Sequence, residues 1–108
     1  MHYSGYRLLW LQVLFDLPVT KKEQRKKASD FRNNLLDLGF SMSQFSVYMR
    51  YCKNKEQAET LIKKIERTMP DQGTVHMLII TDKQYENIKT FYCGAKGRLK
   101  NPDQLLLF

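Results

Sequence analysis

A single carboxylate, Asp16, stands where a buried strand is expected to leave the core. It follows an almost continuous apolar run, Leu8 to Phe15, and Pro18 stops the strand soon after it. A carboxylate at such an exit could hold Mg²⁺, which prefers an octahedron of oxygens and usually takes a carboxylate or two together with phosphate. Asp16 alone supplies one such ligand, whereas a homodimer with Asp16 near its two-fold axis would supply two. An ordinary strand-ending turn is the alternative, and for this residue taken alone it is favoured.

A dense basic cluster follows Asp16 and could contact phosphate groups. It places six cations within twelve residues, against only Glu23 and Asp30, and consists of Lys21, Lys22, Arg25, Lys26, Lys27 and Arg32. On a helix, four of them would lie broadly on one side, namely Lys22, Arg25, Lys26 and Arg32. The local excess of four charges is more than half of the chain's formal net charge of +7. A solvated helix face is the alternative, but this concentration of charge favours nucleic acid as the partner.

The C-terminal region holds a second candidate phosphate contact and an apolar end. Lys96, Arg98 and Lys100 are interspersed with Gly94 and Gly97. The sequence has no aromatic ribonucleoprotein motif and no zinc-finger spacing, so we expect contact with the nucleic-acid backbone rather than base reading. The chain ends on four apolar residues, Leu105, Leu106, Leu107 and Phe108. We expect them to add as a strand to the edge of a sheet, which could belong to the same chain, to a second copy or to a partner.

Other reactive side chains form no recognisable constellation. No base partner is evident for the three serines near the middle of the chain, Ser41, Ser43 and Ser46. His76 falls inside an expected strand, where a satisfied structural histidine is favoured. Cys52 and Cys93 belong to no CxxC pattern; reduced, half-buried thiols are favoured, and a single disulfide between them is the alternative. The sequence therefore offers neither a Ser/His/Asp nor a Cys/His arrangement.

The composition is that of one soluble globular domain. The chain has 108 residues, of which 43% are hydrophobic and 27% charged, and its mean hydropathy is −0.51. These values exclude a disordered or collagen-like chain. The apolar run before Asp16 is too short to cross a bilayer and lacks the pattern of a signal peptide, so we expect a cytoplasmic protein without membrane contact.

The first elements that would position these residues are a strand and a helix. Arg7 to Asp16 is expected to be a central strand buried on both faces. A helix follows from a Thr20–Glu23 capping box to Gly39, and its buried side would carry Ala28, Phe31, Leu35 and Leu38. Phe40 to Tyr51 alternates but slips phase near Phe45, which predicts two strands joined by a bulge or tight turn.

The second half repeats the helix and strand. Asn54 and Gln57 form a box-like cap for a helix that Pro70 is expected to end. Gly73 to Thr81 predicts a second buried strand, Thr81 to Gln84 a short capped helical turn, and Thr90 to Cys93 is a candidate for a further extended segment.

The order βαββαβ predicts an α+β, ferredoxin-like fold with an antiparallel sheet and two helices on one face, plus an extra C-terminal strand. Residues 1–92 would form this domain, and residues 93–108 a loop and apolar strand used in dimer or partner contacts. This fold hosts many unrelated activities, so it does not by itself indicate the function.

Several motifs, taken in order, resemble the CRISPR-associated protein 2 family, the small subunit of the spacer-acquisition machinery, often called CRISPR-associated endoribonuclease. The similarity covers nearly the whole chain, and its clearest segments are Val13–Pro18, the basic capped helix, Gly39–Phe40, Gln44–Tyr48 and Thr81–Gln84. Gln44–Tyr48 and the terminal Asp103–Phe108 are similar to the branch that accompanies type II systems.

The resemblance implies a ferredoxin-like homodimer held between two integrase dimers and bound to the backbone of a double-stranded prespacer DNA. It also implies that Asp16 is the catalytic residue and Mg²⁺ ligand, paired with its twin across the dimer. Many members have an arginine just before the Gln-aromatic-Ser-Val run, where this chain has Met42 and Ser43. The arginines that often follow the aspartate are replaced, in shifted positions, by Lys21, Lys22 and Arg25. These departures weaken the nuclease interpretation more than the scaffold interpretation.

Three functions from different classes follow. The leading one is a non-catalytic or weakly catalytic, DNA-binding subunit of the spacer-integration complex. The second is a Mg²⁺-dependent endonuclease that cuts single-stranded RNA or duplex DNA at a metal shared by two Asp16 residues. The third is a toxin-like RNA interferase, since such toxins share this fold and size.

Overall fold

The central strand β1 (Leu9–Asp16) organises the fold in the computed structural model of the protein, which describes residues 8–94. Alternate side chains of β1, those of Leu11, Val13 and Phe15, are buried. The strand pairs antiparallel with β3 (Val47–Cys52) on one side and with β4 (Thr74–Thr81) on the other. The predicted central position of this strand is therefore confirmed.

The remaining elements follow the order predicted from the sequence. Along the chain they are β1, α1 (Lys22–Asp37), β2 (Ser41–Gln44), β3, α2 (Lys55–Glu66), β4 and α3 (Asp82–Glu86). The sheet order is β2-β3-β1-β4, with every neighbouring pair antiparallel. The predicted α+β, ferredoxin-like fold is confirmed. The boundary after residue 92 stays a prediction, and the expected strand at residues 105–108 lies outside the described part of the chain.

The helices α1 and α2 cover one face of the sheet. Each helix buries an apolar stripe, formed by Ala28, Phe31 and Leu35 in α1 and by Ala58, Leu61 and Ile65 in α2. These side chains form the core with the alternate residues of β1; for example, the Phe15 and Phe31 rings meet edge to face with their centroids 5.1 Å apart. None of the helices in residues 8–94 could span a membrane.

The opposite face of the sheet, which we call the open face, is not covered by these helices. On β1 it carries Trp10, Gln12, Leu14 and Asp16, of which the first three are only partly buried. Within residues 8–94, the predictions that β1 is buried on both faces and that β4 is a second buried strand are wrong. In this part of the chain β4 is an edge strand, and half of its residues are exposed, including the open-face side chain of Leu78. The apolar run before Asp16 predicted β1 correctly, but it did not predict how many faces of the sheet the described residues cover.

The helix starts agree with the predicted caps, except at α1. There the first residue outside the helix is Lys21 rather than Thr20, and Gln24 Oε1 accepts a hydrogen bond from the Lys21 N–H at 2.9 Å. Asn54 Oδ1 accepts from the Gln57 N–H at 2.8 Å, as predicted for α2. Thr81 and Gln84 satisfy each other's backbone N–H groups at the start of α3, as predicted.

The turns and element ends agree only in part with the local predictions. The phase slip near Phe45 is confirmed, because the β2–β3 register shifts between Met42 and Gln44. α2 ends at Glu66, before Pro70, so the proline does not itself stop the helix. Residues 90–93 contain no strand, so the candidate extended segment there is wrong.

The two cysteines are free, but they are not both half-buried as predicted. Cys52 lies in the core, whereas Cys93 is exposed. Burial raises the pKa of the Cys52 thiol, since a thiolate would lose its hydration there. Cys52 therefore acts as a small apolar core residue.

Gly73 sets the distance between the end of β1 and the start of β4. Its φ is +98°, and a Cβ there would lie 2.6 Å from the Asp16 carbonyl oxygen and 2.8 Å from Leu17 Cδ2. We expect Gly73→Ala to lower the free energy of unfolding by roughly 1–3 kcal/mol, because the left-handed backbone and the clash both oppose a side chain. Gly94→Ala is the control, since no atom of residues 8–94 lies within 4 Å of a Cβ there. Urea denaturation of both variants tests this, and equal stability would contradict the close approach at Asp16.

Candidate nucleic-acid and metal site

Asp16 lies at the rim of a cleft beside the N-terminal half of α1. Its side chain is exposed, and within residues 8–94 it forms no ion pair. The cleft has a volume of about 350 Å³ and is lined by Phe15, Asp16, Leu17, Val19, Arg25, Ala28, Arg32, Phe45 and Ser46. We call it the Asp16 cleft. It combines one free carboxylate with two guanidinium groups, so a phosphate group would find positive charge there.

The two arginines of the Asp16 cleft differ in what they already bind. Arg25 Nη1 donates to the carbonyl oxygens of Val19 and Thr20, at 3.2 and 2.9 Å, and so holds the loop between β1 and α1. Arg32 lies further along α1, is partly buried and has no ion pair in the described part of the chain. Arg25 therefore shapes the cleft, and Arg32 is the cation left to bind a ligand.

The lysines predicted to bind nucleic acid fall into two groups. Lys26 pairs with Asp30 on the helix surface, Nζ to Oδ2, at 3.1 Å. Lys21 and Lys22 are exposed, and within residues 8–94 neither forms an ion pair. The three cations of the second candidate phosphate contact, Lys96, Arg98 and Lys100, lie outside the described residues.

Lys27, also counted in the basic cluster, has a structural partner that the sequence did not indicate. Its Nζ lies 3.1 Å from Asp71 Oδ1, and this contact lowers the pKa of the Asp71 carboxyl. Gln24 and Gln72 are hydrogen bonded beside this pair. Together these contacts join α1 to the loop before β4.

The described residues contain a single candidate carboxylate for a metal. No three or more His, Cys, Asp or Glu residues lie close enough together in residues 8–94 to hold an ion. The Asp16 donor set fits Mg²⁺ only if further oxygens come from outside the chain, either phosphate oxygens or the Asp16 of a second copy. The site shared across a dimer therefore stays a hypothesis.

The open face is bordered by a groove of mixed polar and apolar lining that the sequence did not predict. The groove has a volume of about 860 Å³, and its apolar lining includes Leu14, Val47, Met49, Tyr85, Ile88 and Phe91. Trp10 stacks on Tyr85 with ring centroids 4.0 Å apart and donates from Nε1 to Asp82 Oδ1 at 2.9 Å. These contacts fix α3 against the sheet, so the chain after α3 forms one wall of the groove. An exposed apolar surface of this kind marks a binding surface.

Two side chains on this side of the molecule differ from expectation. His76 is exposed on the open face, opposite Leu14 in register, so the prediction of a satisfied structural histidine is wrong. Phe45 was used only to locate a turn, yet it lines both the Asp16 cleft and the groove. The sequence did contain a signal for this role of Phe45: an aromatic residue at a phase slip is expected in a turn, and a turn usually exposes its side chains.

The three serines near the middle of the chain also lie on this side of the molecule. Ser41 and Ser43 are exposed, and Ser46 lines the Asp16 cleft.

Comparison with known proteins supports the resemblance drawn from the motifs. A family model described as CRISPR associated protein Cas2 matches residues 9–88. A protein of Paracidovorax avenae named CRISPR-associated endoribonuclease Cas2 is 50% identical over 106 residues, covering 97% of this chain and 98% of the relative. A protein of the same name from Flavobacterium psychrophilum is 45% identical, covering 97% of this chain and 94% of the relative. By fold, by motif order and by these matches, the chain belongs to the CRISPR-associated Cas2 family.

Proposed function

We propose that this protein is a homodimeric, DNA-binding subunit of the CRISPR spacer-integration complex, and that it is non-catalytic or weakly catalytic. The observation that carries the proposal is the group of exposed cations at the start of α1, of which Lys21 and Lys22 form no ion pair within residues 8–94. The integrase as the larger partner follows from the family resemblance. A double-stranded prespacer is the proposed ligand.

Backbone phosphates are the proposed contact of Lys21, Lys22 and Arg32. All three are free of ion pairs in the described part of the chain, so binding a phosphate breaks no existing ion pair. Lys26 and Lys27 already pair with aspartates, which reduces what they would gain from a phosphate. Contacts of this type position the protein on a duplex without reading its sequence.

The open face is the proposed dimer interface. It exposes apolar side chains that include Leu78, Ile88 and Phe91. It also ends at β4, an edge strand whose outer backbone groups could pair with an added strand. The apolar residues 105–108, outside the described part of the chain, are proposed to add there or on the integrase.

A salt titration tests the DNA-binding role. We expect the double variant Lys21→Gln/Lys22→Gln to weaken binding of duplex DNA equally for unrelated sequences. The slope of log affinity against log salt should become shallower by about 0.9 for each phosphate that the variant no longer neutralises. Fluorescence anisotropy of labelled duplexes at several salt concentrations gives both quantities.

The matched control removes the same charge elsewhere. Lys63 and Lys64 are exposed in the last turn of α2, and Lys63→Gln/Lys64→Gln should leave the slope near that of the wild type. Equal slopes for the two double variants would mean that α1 contributes only general charge. In that case the cluster would be a solvated helix face.

A metal-dependent endoribonuclease is the second candidate. Two observations favour it: the relatives from Paracidovorax avenae and Flavobacterium psychrophilum bear the endoribonuclease name, and Asp16 is free at the rim of a cleft that contains Arg32. Asp16 would hold Mg²⁺, which when bound neutralises charge on the scissile phosphate and activates a water molecule. Arg32 would bind the phosphate, and Arg25 would keep the loop after Asp16 in place. We do not propose the toxin-like interferase, because neither the family model nor these relatives favour it.

A further inference from the structure

Phe45 is an exposed aromatic residue on a turn whose backbone is held in place. It lies at the β2–β3 turn, and 73% of its surface is exposed. Ser46, the next residue, has a φ of 66°, and its carbonyl oxygen accepts a hydrogen bond from the Phe15 N–H at 3.1 Å. The turn is therefore tied to β1 directly beside Asp16. This backbone anchor places Phe45 at the rim of the Asp16 cleft, which it lines.

The Asp16 cleft joins this ring to a free cation. Phe45 and Arg32 line the same cleft, and Arg32 has no ion pair within residues 8–94. An aromatic ring beside a guanidinium group suits a nucleotide, because the base can stack on the ring while the phosphate pairs with the cation. The charge and the aromatic surface thus point to the same ligand.

We propose that Phe45 is a stacking platform for one unpaired base whose phosphate lies against Arg32. The inference rests on the proposed function and deepens it, because it names the kind of nucleic acid that this cleft takes. Both faces of a base inside a duplex are covered by neighbouring base pairs, so the ring can stack only on a base in a single strand or at a duplex end. The cleft is therefore specific for unpaired nucleotides, independent of base identity.

A binding assay with two strands tests the proposal. The probes are a labelled oligodeoxythymidylate and an abasic strand of equal length, both measured with the full chain. We expect Phe45→Leu to weaken binding of the oligodeoxythymidylate roughly 5- to 150-fold, the usual contribution of one stacked base. Phe45→Tyr should bind like the wild type, because it keeps the ring. The abasic strand should bind wild type and Phe45→Leu equally.

The control for loss of exposed apolar surface is Leu36→Ala, since Leu36 is 49% exposed on α1 and lines neither the Asp16 cleft nor the open-face groove. It should bind the oligodeoxythymidylate like the wild type. An equal affinity of Phe45→Leu and wild type for that strand would overturn the proposal. So would an equal loss on the abasic strand, or an equal loss for Leu36→Ala.

Phe45 also lines the groove, so a second copy of the chain is the competing occupant. Sedimentation velocity of Phe45→Leu distinguishes a nucleic-acid ligand from a second copy of the chain. A shift toward monomer would assign the ring to the dimer interface and overturn the proposal.

Binding of wild-type protein to duplex DNA is measured in parallel, to separate this inference from the proposed function. If the duplex binds and Phe45→Leu has no effect, only this inference is wrong. If wild type binds neither duplex nor single strand, the proposed function is wrong as well.

Discussion

Replacing Asp16 with asparagine should lower any phosphodiesterase activity of this protein by about a hundredfold or more. This magnitude is expected because a bound metal contributes several kcal/mol to the transition state, and each tenfold in rate corresponds to about 1.4 kcal/mol. Asparagine keeps the size and hydrogen-bonding capacity of the side chain but removes the anionic ligand. Asp16 is exposed and free of ion pairs within the described residues, so the fold should not change. Chelation with EDTA should abolish the wild-type activity in the same assay.

Asp37→Asn is the matched control, because Asp37 is an exposed aspartate at the far end of α1. Cleavage should survive in that variant. Asp16→Asn should still bind duplex DNA and still support spacer integration with the integrase, since the leading proposal gives Asp16 no part in either. Cleavage by Asp16→Asn purified free of host nuclease would refute the metal assignment. Loss of integration by a well-folded Asp16→Asn dimer would instead refute the purely structural role.

The sequence predicted the element order and the place of Asp16 because both depend on local pattern. An apolar run ended by Asp-Leu-Pro defines a strand and its exit, and 3–4 spacing defines the buried stripe of a helix such as α1. Burial on the second face of the sheet was predicted wrongly, for a physical reason. Apolar side chains suit a sheet face covered by helices of the same chain and a sheet face covered by another chain equally well. The run therefore does not indicate which of the two covers the second face.

The candidate site was less predictable, because its geometry depends on contacts between distant segments. The pattern placed Arg25 among the nucleic-acid ligands but did not indicate that its Nη1 donates to the carbonyl oxygens of Val19 and Thr20. Lys27 pairs with Asp71, which lies far along the chain. The position of the Phe45 turn depends on the hydrogen bond between the Phe15 N–H and the Ser46 carbonyl oxygen, which no local spacing signals.

The open face provides the second large effect that we expect. Leu78→Lys should weaken self-association by more than about a hundredfold, because an uncompensated charge buried at an interface costs roughly 3–5 kcal/mol. Leu78 lies opposite Gln12 on the open face, and 45% of it is exposed in the single chain. Sedimentation velocity over a range of concentrations measures the monomer–dimer equilibrium directly.

Leu36→Lys makes the same change at a similarly exposed leucine, at 49%, on α1. If the second copy covers the open face, this variant should associate like the wild type, and both variants should unfold at similar denaturant concentrations. The comparison separates an interface from general surface hydrophobicity, because the two leucines differ in the face they occupy and little in exposure. If Leu78→Lys stayed fully dimeric, the interface would lie elsewhere on the molecule. Dimerisation through the open face could then not bring two Asp16 carboxylates together.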